Sequence, residues 1–264
     1  MTIIAIFSAK GSPGVTTVAC AIGAVWPSER RVIVAEGDPA GADLAARFGL
    51  SSRQGMTSLV LALRQPASPN AGFDAHTQRL PGGLEVLVGP MAPDAAQALD
   101  RELGRAVPFL AEADEDVLVD CGRLVPGQPG QTMMLQRAHE LILVSRSDVA
   151  SLGHARWAAG LISSFGRAGS GRLIVRGGSR GRAREAAAML GLELVEVIPE
   201  DPGSAAIACG EPGSSRAFAK SPLVGAANRA AEILVPLARE SERAGPDSPF
   251  QPGTETPLPD WRAS

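Results

Sequence analysis

Seven short apolar runs punctuate the chain, each bounded by Gly, Pro, Ser or Asp and followed by a segment of helical length. They are Thr2 to Ser8, Arg31 to Glu36, Leu84 to Gly89, Asp116 to Cys121, Glu140 to Ser145, Arg172 to Arg176 and Leu194 to Ile198. Stretches such as VIVA, VLV and LILV are apolar at successive positions, as in strands covered on both faces of a parallel sheet. Helical patterns fill the intervals: Thr16 to Trp26, Met56 to Arg64, Pro93 to Ala106, Thr132 to Ala138, Val149 to Phe165, Ala183 to Leu190 and Ser221 to Glu242. Asp148 before Val149, and Ser221 before Pro222, read as N-caps. The alternation is that of βαβ units with right-handed crossovers, so the predicted fold class is α/β, a doubly wound, mainly parallel sheet flanked by helices. Arg64 to Gly83, rich in Pro, Gly, Asn and Ser, reads as a surface loop.

Length and composition narrow this picture. The 264 residues, 45% hydrophobic, suffice for one core, and doubly wound sheets of this size need not divide. Residues 1–243 are expected to form one domain. Residues 244–264, AGPDSPFQPGTETPLPDWRAS, are dense in Pro, Gly and small polar residues and read as a disordered tail in which Phe250 and Trp261 are scattered aromatics. The opening run is short and lacks a basic leader, so it reads as a buried strand and not as an export signal. No apolar stretch reaches the ~18 residues that a membrane span needs. A cytoplasmic protein without direct membrane insertion is expected.

Cys20, Cys121 and Cys209 lie far apart without CxxC spacing and read as reduced, buried thiols. His76, His139 and His154 are not grouped with carboxylates or a nucleophile. Met133, Met134 and Leu135 read as helix core, and Trp26 and Trp157 as packing against the sheet. A net charge of −3 without a long basic run leaves no electrostatic footprint for nucleic acid. Of the 25 basic residues only Lys10 and Lys220 are lysines.

Directly after the first strand comes Ser8-Ala9-Lys10-Gly11-Ser12-Pro13-Gly14-Val15-Thr16-Thr17, and then a helical pattern. Strand, glycine-rich loop and helix in that order can cradle phosphate: backbone N–H groups close around the oxygens, the helix N-terminus adds its dipole, and the Thr16 hydroxyl sits where Mg²⁺ would be ligated. The ordinary motif has Lys before that hydroxyl, where this chain has Val15. On the loop alone, a phosphate cradle and a plain Gly/Pro turn leading into a buried helix both stand. Asp38, before Pro39, reads either as a turn aspartate or as a ligand-facing group at the carboxyl edge of the sheet. Asp120 ends a buried apolar run at the same edge, and a carboxylate there needs a metal, donor or water partner.

The loop KGSPGVTT resembles the deviant Walker A loop, KGGxGK[ST]T, of the MinD/ParA family of P-loop ATPases, and Lys10 takes the place of that family's signature lysine. The resemblance continues in order. VIVAEGDPAGADLAARFGL is similar to the second strand and switch I, matching Asp38 to the aspartate that orients the attacking water. DVLVDCG is similar to the Walker B strand and switch II, placing Asp120 near Mg²⁺ through water and Gly122 near the γ-phosphate. LILVSRSDVASLGHARWAAGLI resembles the next strand and helix. GRLIVRGGSRGRAREAAAMLGLELVEVIPEDP resembles the region that flanks the adenine, which brings in Arg176, Pro199 and Asp201.

The resemblance thus implies a P-loop NTPase of the SIMIBI type with Lys10, Asp38 and Asp120 as catalytic groups. It implies Gly11, Ser12, Pro13, Gly14, Val15, Thr16, Thr17, Gly122, Arg176, Pro199 and Asp201 around ATP, and Thr16 with Asp120 (via water) at Mg²⁺. It also implies a homodimer and a protein partner. Val15 supplies none of the transition-state charge offset that the P-loop lysine gives, worth ~3 to 4 kcal/mol in comparable sites, so hydrolysis is expected to be weak or absent. Lys10, in its own subunit or across a dimer, or Arg123 or Arg146, are open as substitutes. The resemblance runs closest to the divergent CpaE-like and MinD-like branches, which implies positioning or regulation of a pilus or secretion machine. Chromosome or plasmid partitioning and a nucleotide-independent pseudo-ATPase scaffold are the alternatives. The final helix mixes Arg229, Arg239 and Arg243 with Glu232, Glu240 and Glu242, which argues against a DNA-binding face.

Overall fold

The computed structural model describes residues 2–11, 13–27, 29–64, 72–165 and 171–244. Ser12 and the expected tail beyond residue 244 lie outside them.

In chain order the elements are β1 (Thr2–Ser8), α1 (Val15–Ala24), β2 (Val32–Glu36), α2 (Leu44–Phe48), α3 (Met56–Ala62), β3 (Gln78–Arg79), β4 (Glu85–Leu87), α4 (Pro93–Glu112) and β5 (Asp116–Arg123). They continue with α5 (Pro129–Arg137), β6 (Glu140–Arg146), α6 (Val149–Ser164), β7 (Gly171–Arg176), α7 (Arg180–Leu190), β8 (Glu193–Ile198), α8 (Pro202–Ala208), α9 (Ser215–Ala219) and α10 (Pro222–Ala244). The strands form one sheet in the order β3-β4-β2-β5-β1-β6-β7-β8. Every pairing is parallel except that of β3 with β4.

The continuous apolar runs have the predicted cause. Along β1, Ile3, Ala5 and Phe7 enter a core shared with α3 to α7, while Ile4 and Ile6 enter a second core under α1, α2 and α10. With helices on both faces, neither set of side chains can be polar, and the period-2 signal disappears. Asp148 and Ser221 cap α6 and α10 as expected, accepting from the Ser151 and Val224 amides at 2.9 and 3.2 Å.

Three segments depart from the sequence pattern. The Arg64 to Gly83 region contains a 3-10 turn (Phe73–Ala75) and the antiparallel edge strand β3. Phe73 anchors this region, buried edge-on against Phe109 with ring centroids 5.0 Å apart. Helix α4 runs on through Pro108. The proline lies on the exposed side, where the carbonyl it leaves unbonded can be hydrated. The short helices α2, α8 and α9 follow strands or close loops and carry too few residues for a periodic signal.

Candidate functional site

Helix α1 begins without a side-chain cap, and its N-cap Gly14 has φ 86° and ψ 43°. That left-handed geometry suits glycine. It turns the chain so that the first amide N–H groups of α1, which no helical carbonyl can satisfy, point from the helix end toward the loop. At Gly11 a side chain would meet nothing within 4 Å, so this stretch of loop borders open space. Lys10 is exposed and, among the described residues, makes no hydrogen bond or ion pair. With Gly11, Pro13, Ser145 and Arg146 it lines a shallow recess. Val15, 6% exposed, packs into the core with Ile6, Val18 and Val144. The position that would carry a cation over the phosphates is given to packing.

On the other side of the loop the expected metal residues meet. The Thr16 hydroxyl donates to Asp120 Oδ2 at 2.5 Å, and the Gly122 amide donates to Asp120 Oδ1 at 2.9 Å. Asp120 is 2% exposed, and burial pushes its carboxyl up to about 6 against the pull of those two donors, with Asp38 nearby adding to the rise. Asp38 Oδ1 accepts from the Ala40 amide at 2.8 Å, so Asp38 is a turn aspartate and also faces the site. A Cβ on Gly122 would lie 1.9 Å from Asp38 Oδ2, and Gly122 has φ +59°. Only glycine lets the two loops come this close. Burial raises the Asp38 carboxyl, and Arg123 nearby works in the opposite direction. Beneath them the pairing of β1 with β5 shifts register between Ile6 and Ser8, where the regular ladder gives way to the Gly122 turn.

Two buried polar residues that hold this region were not singled out from the sequence. Glu36, at the end of β2 and 2% exposed, accepts from the amides of Asp43 and Leu44 at 2.9 and 3.0 Å and from Gly89 at 3.1 Å. It fixes the loop carrying Asp38, and burial pushes it up to about 7. Its signal was the one that marked Asp120: a carboxylate ending an apolar run. Gln131 donates to the Cys121 and Arg123 carbonyls at 2.7 and 2.9 Å and accepts from the Val125 amide at 2.9 Å. Asp100 of α4 in turn accepts from the amides of Gly130 and Gln131 at 3.1 and 2.7 Å, tying the Gly122 turn to α4 and α5. A lone Gln and a helix Asp carry no pattern by which to find this clamp.

The third side of the loop is formed from β7. Arg176 lies at the end of β7 and reaches the loop itself. Its Nη1 donates to the Pro13 carbonyl at 3.1 Å, and a Cβ on Gly14 would lie 2.2 Å from that nitrogen. Among the described residues its Nε is buried without a hydrogen-bond partner. Asp201 is occupied as the N-cap of α8, accepting from the Ser204 amide at 3.0 Å. Of the candidate substitutes for the P-loop lysine, Arg146 pairs with Glu200, while Arg123 is exposed beside Asp38. Thr17 shares a 3.3 Å hydrogen bond with Cys209, which is half-buried and not buried as expected.

The remaining singled-out residues lie elsewhere. His76 is buried against Ser58 at 2.8 Å, His139 accepts from the Ile3 amide at 3.0 Å, and His154 is exposed. Met134 and Leu135 are core as expected, but Met133 and Trp157 are 39% and 37% exposed.

Among the described residues, no three His, Cys, Asp or Glu side chains gather to hold a metal ion. Thr16 and Asp120 alone fit a cation that keeps most of its shell as water and phosphate oxygen, the habit of Mg²⁺ on a nucleotide. The uncapped helix end and the open space at Gly11 fit the phosphates. The buried valine does not fit the role of the charge that P-loop chemistry places over them.

No family model and no curated relative matches the chain. Solved structures do match. A ParA family ATPase from Chlorobium tepidum TLS shares 18% identity, with 88% of this chain and 98% of that one covered at a TM-score of 0.71. The cell division ATPase MinD of Pyrococcus furiosus shares 21% identity, with 90% and 99% covered at 0.70. The septum site-determining protein MinD of Pyrococcus horikoshii OT3, complexed with Mg-ADP, shares 21% identity, with 90% and 97% covered at 0.71. The chain therefore has the MinD/ParA-like P-loop fold, a mostly parallel eight-stranded sheet flanked by helices.

Proposed function

We propose that this protein is a MinD/ParA-like switch that binds Mg²⁺ and an adenine nucleotide on the loop between β1 and α1 and hydrolyses it slowly or not at all. One observation carries the reading: Thr16 of α1, Asp120 and Gly122 at the end of β5, and Asp38 in the loop after β2 meet beside an uncapped helix N-terminus. Buried carboxylates at the carboxyl edge of a parallel sheet are costly in the free protein, and a bound cation would relieve that cost. When bound, the nucleotide would supply the phosphate oxygens completing the shell of Mg²⁺. The chain's own contribution is positional: Thr16 and Asp120 hold the cation, Asp38 faces the reacting end, and Glu36 and Gln131 keep both loops in place. Val15, packed in the core, supports slow turnover.

The unpaired Lys10 at the mouth of the recess supports a dimer in which it reaches the partner's phosphates. A partner-binding scaffold that ignores nucleotide is the second reading, favoured by Val15. Regulation of a pilus or secretion machine follows from the CpaE-like resemblance. Partitioning is supported less, because two basic residues of α10 are engaged by acids: Arg229 bonds Glu196 at 2.6 Å and Arg239 lies 3.8 Å from Glu29. Among the described residues no helix is long and apolar enough to cross a membrane.

Calorimetry with ATP and ADP in the presence of Mg²⁺ tests the proposal. Binding that disappears on chelation and in Thr16→Ala is expected, and no binding at millimolar nucleotide defeats it. Lys10→Ala separates the readings: assembly that survives it and ignores ATP belongs to the scaffold.

A further inference from the structure

The charge missing from position 15 has a candidate source that is distant in sequence. Arg176 comes from β7, two strands from β1 in the sheet, yet its guanidinium lies against Pro13 and Gly14, the two residues immediately before Val15. A guanidinium has five N–H donors and stays charged in any protein environment. Here one nitrogen satisfies the Pro13 carbonyl and another, Nε, is buried without an acceptor among the described residues. An unsatisfied buried donor is costly, and a role at a functional site is among the explanations for one. The acidic neighbour Glu200 is shared with Arg146, so on this flank of the loop two arginines face one carboxylate. Lys10 adds to that excess from the other flank of Pro13.

We infer that Arg176 replaces the P-loop lysine, contacting the phosphates of the bound nucleotide from the β7 side and supplying in its own subunit the positive charge that Val15 lacks. The inference rests on the nucleotide-binding reading and deepens it. A base-contacting role is the alternative that the expected adenine pocket would assign to this residue. The two differ in what they demand of the ligand, because a phosphate contact survives removal of the nucleoside and a base contact does not. An arginine on this flank can give bidentate, charge-assisted hydrogen bonds to phosphate oxygens, while the place of the motif lysine itself stays filled by the packed Val15. Binding is therefore recovered while fast hydrolysis is not.

The test uses the full chain, a fluorescent ATP analogue with Mg²⁺ and displacement by unlabelled ATP or by inorganic tripolyphosphate. Arg176→Met keeps length and apolar stem and removes the charge. It should weaken both ATP and tripolyphosphate by about tenfold or more. Arg176→Lys should keep most of the affinity for both, and adding Val15→Lys to Arg176→Met should restore it, which shows that the loss is one of charge and not of folding. The inference is overturned if Arg176→Met weakens ATP but leaves tripolyphosphate unchanged, if it changes neither, or if tripolyphosphate at millimolar concentration fails to displace nucleotide from the unaltered protein. If the unaltered protein binds neither ligand, the nucleotide reading itself falls, and this inference falls with it.

Discussion

The two ends of the sheet treat charge in opposite ways. At the amino ends of the strands, buried acids meet cations. Asp116, 1% exposed at the start of β5, takes both arms of Arg30 at 2.5 and 2.7 Å and the Trp26 indole at 3.0 Å. Glu140, at the start of β6, accepts from the buried Arg172 at 2.7 Å. At the carboxyl ends, Asp120 and Glu36 are as deeply buried but have only hydroxyl and amide donors, and both are pushed up, to about 6 and about 7. The molecule can pair a buried carboxylate when it only has to be stable. Where it does not, the unpaired carboxylates mark the end to which the proposed function assigns a cation.

Breaking the paired end should have the largest effect. Asp116→Ala removes a buried carboxylate that Arg30 and the Trp26 indole both bond, which should lower the unfolding free energy by about 3–5 kcal/mol, the range for half of a buried ion pair. Urea denaturation of the nucleotide-free protein measures it. A loss below about 1 kcal/mol would mean that Asp116 is no more than a surface pair.

The unpaired end should show itself in the pH dependence. Glu36 and Asp120 hold a proton in the folded chain at pH values where the unfolded chain has released it, so the folded state binds more protons and unfolding becomes easier as pH rises. Their contribution is complete below about 4, the unfolded carboxylate range, and is lost as pH climbs through about 6 and about 7. The nucleotide-free, metal-free protein should therefore lose up to about 4 kcal/mol between pH 5 and pH 8. Asp148 and Asp201, held below the usual range by the hydrogen bonds of their helix caps, titrate beneath this window and do not mask it. Saturating Mg²⁺ and nucleotide should flatten the slope. A midpoint that stays level or rises from pH 5 to 8 without ligand would remove the contrast between the two ends.

A smaller effect of opposite sign follows at Asp120. Asp120→Asn keeps shape, with an amide oxygen to accept from Gly122 and an NH₂ to donate to the Thr16 oxygen, and it removes the unpaired charge. At pH 8 the nucleotide-free protein should gain about 1–2 kcal/mol while Mg²⁺-dependent nucleotide binding is lost, the exchange of stability against function expected where strain serves a ligand. A destabilised Asp120→Asn protein would place Asp120 with Asp116, as a structural carboxylate.

How much of this contrast was legible in the sequence differs between the ends too. Asp120 and Asp38 could be read because they end buried runs after strands, and the loop after β1 because its glycines and Thr16 keep a recognisable spacing. Glu36 carried the same signal as Asp120 and was passed over in favour of the neighbouring Asp38. Arg176 could be assigned to the site's neighbourhood but not to the loop itself, since the approach of β7 to Pro13 is a matter of side-chain direction across 163 residues of chain. The amino end was silent throughout: Trp26, Arg30 and Asp116 come from two distant segments, and only the register of β2 against β5 brings them together. Strand runs are legible because burial on both faces is a property of consecutive residues. Ion pairs between strand ends are set by sheet order, which no local pattern encodes.

The smallest effect shows that burial, and not the number of ion pairs, separates the ends. Arg31 contacts three acids at the amino edge, Asp74 at 2.5 Å, Glu85 at 2.7 Å and Glu115 at 2.8 Å, while Arg30 pairs with Asp116. Its own side chain is 36% exposed and that of Asp74 is 87% exposed, so water already solvates much of the charge and salt can replace the rest. Arg31→Ala should therefore cost no more than about 1 kcal/mol, and the difference from the unaltered protein should vanish in molar salt. The Asp116→Ala deficit, arising in a pair that salt cannot reach, should persist there. If the two variants respond to salt alike, the paired end of the sheet is held by surface electrostatics after all, and its contrast with the carboxyl end would be one of charge count alone.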